Sequence, residues 1–130
     1  MSFISYSQNH EDVMLWRVLK HVEHGFYVDV GANDPSDDSI TRSLYERGWS
    51  GINIEPLARH VKALHAQRPR DINLCVAVGA HEGEIEIHDT SVRGWATANA
   101  DVARAHRANG VQVRTSRVPL RRLDGIFAEY

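Results

Sequence analysis

The stretch Phe26-Tyr27-Val28-Asp29-Val30-Gly31-Ala32-Asn33-Asp34 constrains this chain more than any other. Four of its first five residues are aromatic or β-branched, the composition of a strand buried on both faces. Asp29 interrupts that run, and burying a bare carboxylate is so costly that it must find a partner or face a ligand. Gly31 lets the backbone turn sharply and lets a ligand come close. Strand, acid, glycine, then a polar turn into a helix is the front edge of a nucleotide-type site in an open α/β sheet.

Composition narrows the classes. The chain's 130 residues suit a single domain over 1–130, large enough for one core but short for a complete doubly wound fold. A net charge of −2 and the lack of a Lys/Arg run argue against a nucleic-acid binder. Arg121-Arg122 reads as a solvated helix start. Cys75 is the only cysteine, so no intramolecular disulfide is possible, and its place in Leu74-Cys75-Val76 suggests a buried, inert thiol. No run reaches the ~18 apolar residues of a membrane span, and no leader pattern is seen, so the expectation is a cytoplasmic protein with no membrane partner. The eight histidines fall into no recognised metal-ligand spacing, and no metal is expected.

Along the chain, Leu15, Val18, Leu19 and Val22 predict an amphipathic helix over residues 9–24, capped by Asn9 and stopped by Gly25. A strand follows at 26–30. A short helix from Ile40 to Arg47 is capped by Ser39 or Asp38 and ends at Gly48. The second strand, Gly51 to Glu55, is closed by Pro56. Leu57, Val61 and Leu64 mark a helix ending near Pro69, and a third strand is expected from Ile72 to Val78. Beyond a turn at 79–83, the alternation of Glu84 to His88 predicts a half-exposed antiparallel strand. Loop (89–98), helix (Asp101 to Asn109), strand (Val111 to Val118) and a helical stripe of Leu120, Leu123 and Phe127 complete the pass.

The fold class is therefore α/β and Rossmann-like but incomplete: three parallel strands with helices, plus a hairpin-like addition. Strand 26–30 would be left with an open edge. Residues 111–118, a second copy of the chain, or a missing C-terminal part would have to cover it. The expectation is the N-terminal portion of a larger domain, or an associating unit.

Glu55 closes the second strand ~20 residues past the glycine turn, where such folds hold a ribose. Its carboxylate accepts from both the 2′- and 3′-hydroxyl. A dinucleotide fingerprint needs three glycines, and only Gly31 is present. Asp34, Asp37 and Asp38 would repel a pyrophosphate and favour a positive centre. S-adenosylmethionine fits better. A nicotinamide-dependent oxidoreductase or epimerase is the competing enzyme class, and a non-catalytic cofactor- or partner-binding half-domain the competing non-enzyme.

Several motifs then share one pattern: Tyr6-Ser7-Gln8 with Glu11-Asp12, Gly25 through Asn33, Gly48-Trp49 with Gly51-Ile52-Asn53-Ile54-Glu55-Pro56, and Arg68-Pro69 before Ala77-Val78-Gly79. In combination the sequence resembles the FkbM-type S-adenosylmethionine-dependent methyltransferases. That resemblance implies that Asp29 and Gly31 line the methionine end of the cofactor, with Asn33 beside them. It implies that Glu55 holds the ribose and that Ala77 and Val78 approach the adenine. The implied reaction is O-methylation of a small-molecule or glycan hydroxyl. Pro35 stands where many members carry glycine, and the chain stops before the family's Asp-Val-Glu-Gly segment on the acceptor side. No general base is assigned: His10 and Asp12 either lie over the site or form a solvated helix start, and Gln8 either reaches the cofactor tail or is equally solvated. Trp16, Trp49 and Trp95 are expected to pack. Ser39 is expected as a cap and Thr41 as a surface residue, with either able to touch the cofactor carboxylate.

Overall fold

The computed structural model describes residues 2–130 and divides into two compact units, with the boundary between Leu74 and Cys75. The first contains α1 (Glu11–Leu19), β1 (Phe26–Val30), α2 (Arg42–Glu46), β2 (Ser50–Ile54), α3 (Ala58–Gln67) and β3 (Ile72–Leu74). The strands form one parallel sheet with β2 in the centre. This is the expected partial Rossmann-like arrangement.

The register decides the character of each sheet face. Tyr27 lies opposite Gly51, Asp29 opposite Asn53, and Asn53 opposite Asn73. Because side chains alternate along a strand, these residues share one face, while Val28, Val30, Ile52, Ile54 and Leu74 share the other. On the first face Tyr27 packs with Leu44 of α2 and with Trp49, flanked by Trp16, Leu19, Val22 and Tyr45. A Cβ at Gly51 would overlap both the Tyr27 carbonyl and its ring, so the tyrosine is seated directly on the neighbouring strand.

The structure departs from the sequence reading at several points. Helix α1 ends at Leu19 rather than near residue 24: the Val22 amide closes a turn on the Leu19 carbonyl at 2.8 Å, and the Val22 carbonyl accepts from the Trp49 indole at 3.2 Å. Strand β3 stops at Leu74 rather than running to Val78. Glu55 donates the last ladder bond, to Leu74 at 3.0 Å, and Pro56 has no N–H to extend it. The start of α1 is not solvated either: Asp12 is fully buried.

The second unit holds β4 (Ala77–Val78), β5 (Gly83–Thr90), α4 (Ala100–Ala108), β6 (Val113–Arg121) and α5 (Leu123–Glu129). Central β6 runs parallel to β4 and antiparallel to β5. The expected antiparallel addition is present, with its two strands joined through α4. Asn99 caps α4, accepting from the Asp101 and Val102 amides. Leu120 lies in β6, not on the last helix, and Ile126 rather than Phe127 is that helix's buried residue. The 111–118 region pairs with β5, not with β1, which stands at its sheet's edge with Phe26 58% and Val30 53% exposed. No helix among the described residues is long and apolar enough to cross a membrane.

Since Gly51 has no room for a methyl group, Gly51→Ala should destabilise the fold by about 1–3 kcal/mol. Urea unfolding measures this, and a change within ~0.5 kcal/mol, as at an ordinary surface position, would contradict the close approach.

Candidate functional site

Strand β1 delivers Asp29, then turns at Gly31, whose φ is 74°. No atom lies within 4 Å of where a Cβ would sit there, so it is the backbone conformation that demands glycine. The Gly31 and Ala32 amides donate to the Ile54 carbonyl at 2.8 and 3.1 Å, tying the turn to the end of β2. Asn33 follows with φ 58°, a left-handed conformation that asparagine tolerates better than most residues.

Glu55 secures this turn. It is 4% exposed, and one carboxylate oxygen accepts from the Asn33 amide at 2.8 Å while the other accepts from Leu57 at 2.9 Å. Glu55 is two residues past Asn53, hence on the same sheet face as Asp29. Asp29, Gly31, Asn33 and Glu55 are thus brought together at one end of the first sheet. Ala77 and Val78 form β4 in the second unit.

Asp29 is half-buried, and its Oδ2 accepts from the Thr41 hydroxyl at 2.8 Å. Burial pushes its carboxyl above the ordinary aspartate range; the Thr41 bond and the Arg68 charge pull it down, and Asp71 pushes it up. Thr41 is therefore not a surface residue but a buried partner of the acid.

Behind Thr41 lies the guanidinium of Arg68, which the sequence pattern includes but gives no role. Arg68 is 2% exposed. Nη1 donates to Thr41 Oγ1 and to the Tyr27 hydroxyl, each at 3.2 Å. Nη2 donates to the Pro35 carbonyl and to Ser39 Oγ, each at 2.9 Å. Asp71 faces it at 3.7 Å and also accepts from the Tyr27 hydroxyl, the Gly51 amide and Asn53 Nδ2. Burial and the Asp71 bond drive the Tyr27 hydroxyl well above the usual tyrosine range, so it stays a donor. The N-cap of α2 is Thr41 rather than Ser39, although Ser39 Oγ accepts from the Arg42 amide at 3.2 Å just ahead of the helix. Asn53 Oδ1 is buried without a hydrogen-bond partner among the described residues.

The other candidates separate cleanly. Asp12 accepts from Ser5, Ser7 and Ser43 hydroxyls and from the Tyr6 amide. Burial works against its charge, but those bonds outweigh it and hold the carboxyl below its ordinary value. It is an anchor for residues 5–7, with no proton-accepting task open to it. His10 is exposed and lies 3.2 Å from the Ser5 hydroxyl, while Gln8 is exposed. Trp16 and Trp49 pack as expected, whereas Trp95 is 47% exposed and stacks on His106. No cluster of three metal-binding side chains occurs among the described residues. The second unit has a separate polar groove of about 670 Å³, lined in part by Ser91, Arg107, Gln112 and Arg114.

Residues 29–130 match the family model described as the methyltransferase FkbM domain. No curated protein and no solved structure matches the chain.

The raised proton affinity of Asp29 carries a stability consequence. An acid whose folded value exceeds its unfolded one loses stability as pH rises between the two. Asp29→Asn should therefore melt above wild type at pH 7, with the difference closing as pH falls toward 3.8, the ordinary aspartate value. Thermal melts across pH 4–8 check this, and a difference independent of pH would refute it.

Proposed function

The chain belongs to the FkbM methyltransferase family, and on that premise we propose that it moves the methyl group of S-adenosylmethionine to a hydroxyl oxygen of a small molecule or glycan. The observation that carries this reading is the placement of Glu55: a buried carboxylate at the end of β2, braced by two backbone amides, on the same face as Asp29. Each Glu55 oxygen spends one lone pair on its amide and keeps another for a ribose hydroxyl. Asp29 Oδ1 has no hydrogen-bond partner among the described residues, which leaves an acceptor for the positively charged methionine end. The donor-rich, cationic cofactor fits a cluster of acceptors, and a pyrophosphate does not.

When bound, S-adenosylmethionine supplies a methyl group made electrophilic by its sulfonium. What the protein contributes is orientation. Gly31 and Asn33 hold the turn in left-handed geometry, Glu55 fixes that turn to β2, and Asp29 offers charge at its edge. Removal of the acceptor proton falls to a group other than Asp12, whose carboxylate is enclosed by its own donors.

Calorimetric titration with S-adenosylmethionine, its demethylated product and NAD tests the proposal. The first two should bind and NAD should not. Asp29→Ala and Glu55→Ala should each weaken binding about tenfold or more, the loss expected for hydrogen bonds to a charged group. Labelled methyl transfer to a panel of alcohols should then report the acceptor class. Tight binding of NAD alone, or unchanged affinity in both variants, would reject the reading.

A further inference from the structure

Asp29 does not stand alone at the strand end: it is the terminus of a buried chain of hydrogen bonds. The Thr41 hydroxyl has one proton, which it gives to Asp29 Oδ2 at 2.8 Å, and it accepts from Arg68 Nη1 at 3.2 Å. Donation from a cation into the hydroxyl strengthens the bond the hydroxyl makes onward. The guanidinium itself cannot drift. It is held by the Tyr27 hydroxyl, the Pro35 carbonyl and Ser39 Oγ, with Asp71 beside it and the Tyr45 ring 5.2 Å away.

We propose that Thr41 and Arg68 are positioning residues of the donor site, acting as a relay that fixes one oxygen of Asp29 and presents the other, as a carboxylate, to the cationic end of the methyl donor. This rests on the reading that Asp29 meets that donor. Matching the donors of a buried guanidinium takes acceptors of any kind, whereas the acceptor Thr41 offers Nη1 is a hydroxyl that passes a hydrogen bond onward. Here one of its bonds is spent on a hydroxyl whose proton goes to the half-buried acid.

The groups acting on Asp29 come from four elements. Thr41 precedes α2, Arg68 follows α3, Asp71 precedes β3, and neutral Asn53 lies opposite on β2 with Glu55 beyond it. Burial and Asp71 favour the protonated acid, and the relay opposes both. Breaking the relay therefore makes Asp29 take up its proton at higher pH, and a neutral Asp29 no longer attracts a cation.

The test is S-adenosylmethionine affinity from pH 5 to 9, measured on the full chain for wild type, Thr41→Val, Thr41→Ser, Arg68→Lys and Asp29→Asn. Wild-type affinity should fall on acidification. In Thr41→Val that fall should move to higher pH, with a loss of about fivefold near its midpoint that shrinks as pH rises. Thr41→Ser should restore the wild-type profile. Arg68→Lys should move it in the direction of Thr41→Val, because an ammonium cannot serve four fixed acceptors as a guanidinium does. Undiminished binding by Asp29→Asn would overturn the site reading and the relay with it. Weakened binding in Asp29→Asn, but a wild-type pH profile or a pH-independent loss in Thr41→Val, would overturn the relay alone.

Discussion

A guanidinium taken out of water is tolerable only where every donor is matched, and Arg68 sets that condition for the first unit. Its partners come from β1 (Tyr27), the turn after β1 (Pro35, Ser39), the start of α2 (Thr41) and the approach to β3 (Asp71). None of these segments can shift without leaving a buried charge uncompensated, at a cost of ~3–5 kcal/mol. A single side chain at the end of α3 therefore holds the sheet, the acidic turn and α2 in one arrangement. Asp71 completes the arrangement from the other side, drawing in the Gly51 amide and the Asn53 side chain.

The division of labour between the two faces of that sheet follows directly. Val28, Ile52 and Ile54 make one face apolar, while Tyr27, Asp29, Asn53 and Asn73 make the other a hydrogen-bonded layer. Within a parallel sheet such a layer needs a full set of partners, and nearly all are supplied internally. The exceptions are informative. Asn53 Oδ1 has no partner, and one oxygen of Asp29 is not engaged. Asn53 is fully buried, so its oxygen is enclosed by the core, whereas Asp29 is only half-buried at the end of the strand.

Much of this was legible in the sequence, for local reasons. Strands β1 and β2 are short apolar runs bounded by glycine and proline, and the distance from Gly31 to Glu55 is a spacing argument. The family pattern is likewise local, and the match over 29–130 bears it out. What escaped was long-range. Arg68 enters the sequence pattern only through Arg68-Pro69 and Asp71 not at all, and nothing nearby reveals that the Tyr27 hydroxyl awaits both. Thr41 reads as a helix-start surface residue for the same reason. Asp12 satisfies the rule for acids in a first helical turn, which hides that residues 5–7 and Ser43 fold over it. The mis-set stripe of Leu120 and Phe127 has a different origin: Leu120 fits a strand and a helix equally, and pairing with Ala77 decided it.

Asp29 is where stability and use pull apart. A strand interior gains nothing from a half-buried carboxylate with Asp71 nearby, and a neutral side chain would suit the sheet better. The fold nonetheless surrounds this acid with the two groups, Thr41 and Arg68, that oppose its protonation. Those groups do not remove the burial cost; they only keep the charge in being against it. An arrangement that sustains an unfavourable charge at an open strand end makes physical sense when a cation completes it, because the ligand then supplies the compensation the protein withholds. Glu55 is held rigid in the same region by one backbone amide on each carboxylate oxygen. A rigid acceptor beside one under-compensated charge is what the register of β1 and β2 produces, and it is on this pairing that the proposed binding of a cationic nucleoside rests.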